Sequence, residues 1–288
     1  MKIDTVLCPI DFSSLSDFEL RLATEVCETF GARLVLHHNL DAAGLGAQRG
    51  EGSPEDAAVA DAAAAGERLE QIRARLPGTV EVSTRVSSGP VERSLLDLIA
   101  EVGADLVTLG SHGWSSKEHA SVSERILAAA PCPILAFQEG RGEHPFRLRA
   151  AEGEALKAVV PSDFSRAADA AVDYAFDLLL RATPLKLHLL SVCASDQEVD
   201  VTRQRLARRV PADLEGRVEC HAAIGTVGDR IAALAADLDA ELIVMGEHAP
   251  DFLRHYLTHD TAREMLHRSR CPVWYVPTGY RPSAGPQP

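Results

Sequence analysis

The same motifs occur twice along this chain, and this repetition constrains the fold more than any other feature of the sequence. Each motif of the first half returns in the second half in the same order: VLCPIDFS (Val6–Ser13) as AVVPSDFS (Ala158–Ser165), ADLVTLGSHG (Ala104–Gly113) as AELIVMGEHA (Ala240–Ala249), and APCPILAF (Ala130–Phe137) as SRCPVWYV (Ser269–Val276). Self-similarity of this kind indicates a duplicated structural unit. The chain is therefore interpreted as two diverged copies of one domain, each long enough to bury its own core.

The two copies differ in the spacing of their motifs. Asp11 and Asp163 are 152 residues apart, whereas Gly110 and Gly246 are 136 apart, so the second copy lacks 16 residues before its glycine motif. We place the missing residues in the Ala- and Gly-rich stretch after Leu40, which is predicted to be a flexible loop leading into a helix. The predicted organisation is a first domain over residues 1–140, a linker over 141–154, a second domain over 155–279 and a disordered tail over 280–288.

Apolar, β-rich runs alternate with segments of helical periodicity in both copies. The predicted helices of the first copy are Ser16–Phe30, Glu55–Leu76, Val91–Val102 and Ala120–Ala129, between the runs TVLCPI, RLVLHHN, VEVSTRV, DLVTLG and PILAF. The second copy repeats this order with LKAVVP, LKLHLLSV, RVECHAA, ELIVMG and PVWYV. Continuous apolar strands alternating with helices are typical of a parallel sheet covered on both faces. The predicted fold class is α/β, with two tandem open-sheet domains.

Composition and charge exclude several classes of partner. The formal net charge of −13 disfavours nucleic acid and anionic membrane surfaces, because both would repel the chain. No uncharged apolar stretch is long enough to span a bilayer, and the N-terminus has no signal-peptide pattern. The six cysteines are scattered, without a CxxC pair, as is usual for reduced thiols. We therefore expect a cytoplasmic protein.

Three features of each copy follow predicted strands, where parallel sheets bind ligands. They are the Asp of PxDFS (Asp11 and Asp163), the residue after the second strand (Asn39 and Val192), and the Gly after the fourth strand (Gly110 and Gly246). An aspartate there can accept hydrogen bonds from an amine or a ribose hydroxyl, and glycines let backbone N–H groups surround a phosphate. The alternative interpretation is structural: Asp11 and Ser13 cap the first helix, and the glycines form turns.

These residues resemble the universal stress protein family. The resemblance rests on PIDFS, ADLVTLGSHG, SVSERIL and APCPILAF in the first copy and on PSDFS, AELIVMGEHA, TAREML and SRCPVWYV in the second, so it covers essentially the whole chain. It implies a tandem universal stress protein in which each domain is a five-stranded parallel sheet with helices on both faces, the adenine nucleotide alpha hydrolase-like fold. It also implies a non-catalytic role in stress response or signalling.

Family members that bind ATP carry a signature of Gly, two residues, Gly, nine residues, and then Gly-Ser or Gly-Thr, from which the two copies depart differently. The first copy keeps Gly110 and Gly113, but Ala120 replaces the third Gly before Ser121 and the loop is three residues short. The second copy keeps the nine-residue spacing, but Ala replaces its second Gly and His-Asp replaces Gly-Ser. The new Asp260 would repel a phosphate. The first copy is thus the better candidate for nucleotide binding.

The resemblance assigns a set of pocket residues to each copy. In the first copy they are Pro9, Asp11, Asn39, Leu109, Gly110, Gly113, Ser121 and Val122. The weaker equivalents in the second copy are Asp163, Val192, Met245 and Gly246. The expected ligand is ATP or another adenine nucleotide, with Mg²⁺ only alongside ATP.

The sequence offers little for catalysis or for a resident metal. It has no nucleophile elbow, HExxH or Walker A motif, so we expect no enzyme, and at most a slow nucleotide hydrolase. His255 and His259 stand four residues apart, a spacing that can hold a metal on a helix. Solvent-facing histidines are the ordinary interpretation of that pair, and we predict no metal site.

Two expectations concern assembly. The closing strands PILAF and PVWYV should pair with each other within the chain, which would protect their exposed edges. Two chains should then associate as a homodimer. The alternative function, motivated by the altered glycine loops, is an interaction scaffold that binds no nucleotide in either copy.

Overall fold

Strands and helices alternate along the whole described part of the chain. The computed structural model describes residues 2–13, 16–40, 54–111, 122–138, 148, 155–181, 185–247 and 261–280. The first copy contains β1 (Thr5–Pro9), α1 (Ser16–Phe30), β2 (Arg33–Leu40), α2 (Pro54–Arg73), β3 (Val82–Ser88), α3 (Val91–Val102), β4 (Leu106–Ser111), α4 (Val122–Ala129) and β5 (Ile134–Gln138). The second contains β6 (Leu156–Pro161), α5 (Arg166–Arg181), β7 (Leu185–Cys193), α6 (Asp196–Ala207), β8 (Val218–Ile224), α7 (Val227–Leu238), β9 (Leu242–Glu247), α8 (Thr261–Arg268) and β10 (Val273–Pro277). The predicted α/β class is confirmed.

The chain divides into two compact units whose boundary differs from that of the sequence repeat. The first unit is Ile3–Gly110 with Ala120–Ala130, and the second is Pro131–Pro288 with two short segments, Met1–Lys2 and Ser111–His119. Strand β5 belongs to the first sequence copy but to the second structural unit.

In the first unit the strand order is β3-β2-β1-β4, and the strands are parallel. The residues of β1 that face the core are Val6, Leu7 and Cys8, which are fully buried. Helix α3 packs Leu95, Leu98 and Ile99 inward, and Gly103 ends it in the left-handed conformation. These apolar positions recur at helical spacing, which is why the sequence predicted this helix with its observed bounds.

In the second unit the order is β5-β10-β9-β6-β7-β8. All neighbours are parallel except β5 and β10, which pair antiparallel with Leu135 opposite Trp274. The predicted pairing of PILAF with PVWYV is therefore confirmed. Trp274 is fully buried at this seam.

The predicted elements differ from the observed ones mainly near exposed positions. The run VEVSTRV was predicted as the third strand, but β3 begins at Val82 and ends at Ser88. None of its residues is fully buried, so its apolar pattern marks its bounds poorly. Helix α2 has 20 residues and its counterpart α6 has 12, which accounts for part of the length difference between the copies. The rest of that stretch, residues 41–53, lies outside the described residues.

Other predicted segments lie mostly outside the described part of the chain. Of the linker predicted over 141–154, only Leu148 is described, and it is buried. The tail predicted over 280–288 is described only at Tyr280. Among the helices that are described, none combines the length and the apolar character needed to cross a membrane.

Candidate functional site

The strand order of the first unit creates a switch point between β1 and β4. From β1 the chain passes through α1 to β2 on one side, whereas β4 pairs with β1 on the other side. Crossovers that leave in opposite directions open a crevice at the carboxyl ends of the two strands. Pro9 ends β1, Asp11 follows it, and Leu109 and Gly110 lie near the end of β4. The structure therefore brings these four predicted residues to one edge.

Asp11 organises the turn that leads into α1. One of its carboxylate oxygens, Oδ1, accepts hydrogen bonds from the backbone N–H of Ser13 and from the hydroxyl of Ser16, both at 2.8 Å. Asp163 repeats the first of these contacts, because its Oδ1 accepts from the N–H of Ser165 at 2.9 Å. Both aspartates remain exposed. These bonds order the turn that precedes the helix, and the Asp11 carboxylate lies at the crevice edge.

The Phe that follows each of these aspartates has an unusual backbone and a stacked cation. Phe12 and Phe164 both have φ of 61°, a left-handed conformation that is uncommon for a bulky residue. The guanidinium of Arg68 in α2 lies 3.8 Å from the Phe12 ring centroid, and that of Arg205 in α6 lies 3.8 Å from the Phe164 centroid. Such cation–π contacts hold both turns in the same shape. Sequence reasoning missed the two arginines, since they lie far from PxDFS in the chain.

Asn39 is held by its own sheet rather than presented to the crevice. Its amide nitrogen donates to the carbonyl of Gly89 at 2.9 Å, and its amide oxygen accepts from the hydroxyl of Ser87 at 2.8 Å. That hydroxyl in turn accepts from Nε2 of His37 at 2.7 Å. Burial lowers the pKa of His37 to about 4, so its ring is neutral near pH 7. Asn39 therefore joins the ends of β2 and β3.

A buried carboxyl group lies beneath the end of β4, and sequence reasoning did not find it. Glu19 of α1 is buried, and its Oε1 accepts a hydrogen bond from the backbone N–H of Gly110. Burial raises the pKa of Glu19 to about 8; the Gly110 bond opposes this shift, and the nearby Asp11 carboxylate adds to it. Near pH 7 this carboxyl is mostly protonated. The sequence did contain a signal for this residue, because position 19 lies on the apolar face of α1 and a Glu is rarely buried there unless it is paired.

The first turn of α4 is attached to the end of β4. The hydroxyl of Ser123 donates to the carbonyl of Gly110 at 3.0 Å. Val122, the first residue of the helix, is 37% exposed. The helix N-terminus, which favours anions, is thus held at the strand end where we expect phosphate. Gly113 and Ser121, also predicted for this pocket, lie outside the described residues, as do His255 and His259.

The corresponding place in the second copy is filled by packing. A Cβ on Gly246 would overlap the carbonyl of Ala167, so α5 lies directly against the backbone of β9. Eight residues after the Asp of PxDFS, where the first copy has Glu19, the second has the fully buried Ala171. Met245 is also buried, and Val192 is half-buried. Met245 and Gly246 thus contribute to the packing of the second unit.

Comparison with known proteins agrees with this fold. The model of the universal stress protein family matches residues 2–138 and 156–277. A universal stress protein from Archaeoglobus fulgidus is 19% identical, covers 97% of this chain and 100% of its own, and has a TM-score of 0.74. A putative universal stress protein from Pseudomonas aeruginosa is 18% identical, with coverages of 96% and 93% and a TM-score of 0.62. No curated protein matches the chain at a significant level.

Two family matches that together span most of the sequence establish what class of protein this is. The chain belongs to the universal stress protein family, and it carries two universal stress protein domains in tandem. At 18–19% identity, the similarity to the solved structures shows a shared fold and says nothing about a shared ligand.

Proposed function

We propose that this chain is a non-enzymatic stress-response or signalling protein of the cytoplasm, and that its first copy binds an adenine nucleotide at the crevice between β1 and β4. The observation that carries the proposal is the meeting of Asp11, Gly110 and the N-terminus of α4 at the switch point of the first unit. Open parallel sheets bind ligands at this place.

The chemistry of the crevice differs along its length. The exposed carboxylate of Asp11 can accept hydrogen bonds from the adenine amine or the ribose hydroxyls. At the other end, the α4 N-terminus supplies backbone donors for phosphate. Glu19 supports this arrangement, because a protonated carboxyl beneath Gly110 does not repel an anion.

The second copy supports a different role for its site. Gly246 is required by the close approach of α5, and no buried carboxyl stands at Ala171. We therefore assign nucleotide binding to the first copy and a scaffolding role to the second.

Calorimetric titration of the full chain with ATP and Mg²⁺ tests the proposal. Asp11→Asn keeps an oxygen for the bonds from Ser13 and Ser16 but removes the charge, so it should weaken ATP binding about tenfold while leaving the fold intact. Asp163→Asn is the matched control and should bind like the wild type. Absence of binding at millimolar ATP would reject nucleotide binding and leave the interaction scaffold as the proposed function.

Two further measurements separate the remaining alternatives. Titration with cAMP, which has one phosphate diester in place of the triphosphate, measures how much of the affinity depends on the phosphate end. Phosphate release above background, lost in Asp11→Asn, would show a slow hydrolase instead of a binding protein. We also propose a homodimer, for which light scattering over micromolar concentrations should give twice the chain mass of 30.9 kDa.

A further inference from the structure

Two histidines and a glutamate meet on two neighbouring strands of the second unit, and the two strands are far apart in the sequence. His188 lies on β7, and Glu219 and His221 lie on β8. The strands are parallel with His188 opposite Glu219, and His221 is two residues further along β8, so all three side chains leave the same face of the sheet. Thirty-one residues separate His188 from Glu219 in the sequence, which is why motif spacing did not predict the cluster.

The three ligand atoms form a small triangle. Nδ1 of His188 forms a hydrogen bond of 3.0 Å with Nε2 of His221, which a bound cation would replace. Oε2 of Glu219 is 3.5 Å from Nδ1 of His188 and 3.9 Å from Nε2 of His221. A point about 2.0 Å from all three atoms follows from these distances, and about 2.0–2.2 Å is the length of Zn–N and Zn–O bonds. A single cation can therefore reach all three atoms with no movement of the backbone.

Neighbouring groups orient the ligand atoms of this cluster, and His188 is itself buried. The ammonium of Lys186 pairs with Oε1 of Glu219, which leaves Oε2 directed at the histidines. Lys157, opposite Lys186 on β6, donates to the carbonyl of Leu238.

These contacts also limit the affinity. Lys186 brings a like charge near the cation. Binding through Nδ1 of His188 leaves its proton on the buried Nε2, which has no hydrogen-bond partner among the described residues. We therefore expect weaker binding than at a closed four-ligand structural site.

We propose that His188, Glu219 and His221 form a binding site for a divalent transition metal, with Zn²⁺ as the ion that fits best. Two imidazoles and one carboxylate are a ligand set that zinc uses in proteins, with the remaining position left to water. The side chains of Glu219 and His221 are 48% and 31% exposed, so an ion can enter from solvent.

The site is particular to the second copy. The strand registers place Val35, Ser83 and Arg85 of the first copy at the positions of His188, Glu219 and His221. None of these three is a zinc ligand of the usual kind. A bound ion would fasten β8 to β7, and β8 is the last strand in the order of the second unit. This inference does not depend on nucleotide binding in the first copy.

Metal titration of the full chain, freed of metal by chelation, tests the proposal. We expect one equivalent of Zn²⁺ to bind and to raise the melting temperature, because a ligand that binds only the folded state stabilises it. His221→Gln and Glu219→Gln remove partly exposed ligands and should each weaken Zn²⁺ binding at least tenfold, with unchanged circular dichroism. Co²⁺ in place of Zn²⁺ should give visible absorption that both variants lose.

A control variant separates this site from the other histidine pair. His255→Gln with His259→Gln should bind Zn²⁺ and Co²⁺ as the wild type does. Wild-type affinity in both His221→Gln and Glu219→Gln, or loss of binding in the double control variant, would overturn the proposal. So would an absence of Zn²⁺ binding to the wild type at hundred-micromolar metal.

Discussion

Glu19 connects a single buried side chain to the pH dependence of folding. Its pKa is raised to about 8, so the folded state holds this proton more tightly than the unfolded chain does. The contribution of Glu19 to stability is therefore greatest below pH 4.5, falls as the pH rises toward 8, and falls no further above that. Ionising Glu19 lowers the stability of the folded state, although the carboxyl also accepts a hydrogen bond from the backbone N–H of Gly110.

We predict that Glu19→Gln flattens this dependence. Gln keeps an oxygen for the Gly110 N–H but cannot ionise. In urea unfolding, the variant should match the wild type near pH 5 and exceed it near pH 8 by on the order of 1 kcal/mol or more. Glu101→Gln, at an exposed position of α3, is the matched control and should show no such difference between the two pH values. A constant offset between Glu19→Gln and the wild type at all pH values would contradict the prediction.

Gly246 leads to a second prediction at the scale of one residue. A Cβ at this position meets backbone atoms of Ala167, which cannot move away as a flexible side chain could. Gly246→Ala should therefore destabilise the protein by about 1–3 kcal/mol, the usual cost of overpacking. Thermal unfolding followed by circular dichroism would measure the loss. An unchanged melting temperature would mean that α5 can shift on β9.

At this scale the sequence predicted residues by their place after strands and missed those that arrive from elsewhere. Asp11 follows β1 as the apolar pattern predicted, whereas Gly110 was predicted to follow β4 and is instead its penultimate residue. Glu19 and Arg68 were missed, because their positions depend on how α1 and α2 pack. Asn39 was predicted to follow the second strand but lies within β2, which extends to Leu40, and hydrogen bonds to β3 and its following loop direct its amide toward Ser87 and Gly89.

Among the elements, helix α2 is lengthened relative to its counterpart and contains a glycine without a structural need. Among the described residues outside its own helix turn, none lies within 4 Å of the Cβ that Gly66 would have, and its φ is not in the left-handed region. Gly66→Ala should thus stabilise the protein by about 0.5–1 kcal/mol through helix propensity. This is the same substitution as Gly246→Ala in an open setting, so the two melting temperatures should move in opposite directions. Destabilisation by Gly66→Ala would show that α2 has a neighbour at this position.

The sequence predicted α1 and α3 with their observed bounds, and the reason is their one-sided burial. In α1 the buried positions include Leu22, Ala23, Val26 and Cys27, which follow helical spacing. β3 lacks such a contrast, because its residues are all half-buried or exposed, and its predicted bounds were two residues early. Element bounds were thus predictable where burial is sharply graded along the chain.

For the molecule as a whole, the structural units do not coincide with the sequence copies. Strand β5 carries the last motif of the first copy, yet its pairing with β10 places it in the second unit. The strand PVWYV would otherwise expose an unpaired edge, so a partner strand is expected there. The repeat predicted that this partner is PILAF. The compact unit that results could not be predicted from the repeat, because a duplication marks where motifs recur and not where contacts are densest.

The pairing of β5 with β10 predicts that a mutation in the first copy weakens the second unit. Leu135 is fully buried opposite Trp274, so Leu135→Ala should leave a cavity costing about 2–5 kcal/mol. With Trp114→Phe as background, Trp274 is the remaining tryptophan, and its fluorescence should report the loss as an unfolding midpoint at lower urea. Leu180→Ala removes the same atoms at a 55% exposed position of α5. Its free energy of unfolding should stay within about 0.5 kcal/mol of that of the background protein. If Leu135→Ala left the Trp274 transition unchanged, the closing strand of the first copy would not contribute to the stability of the second unit.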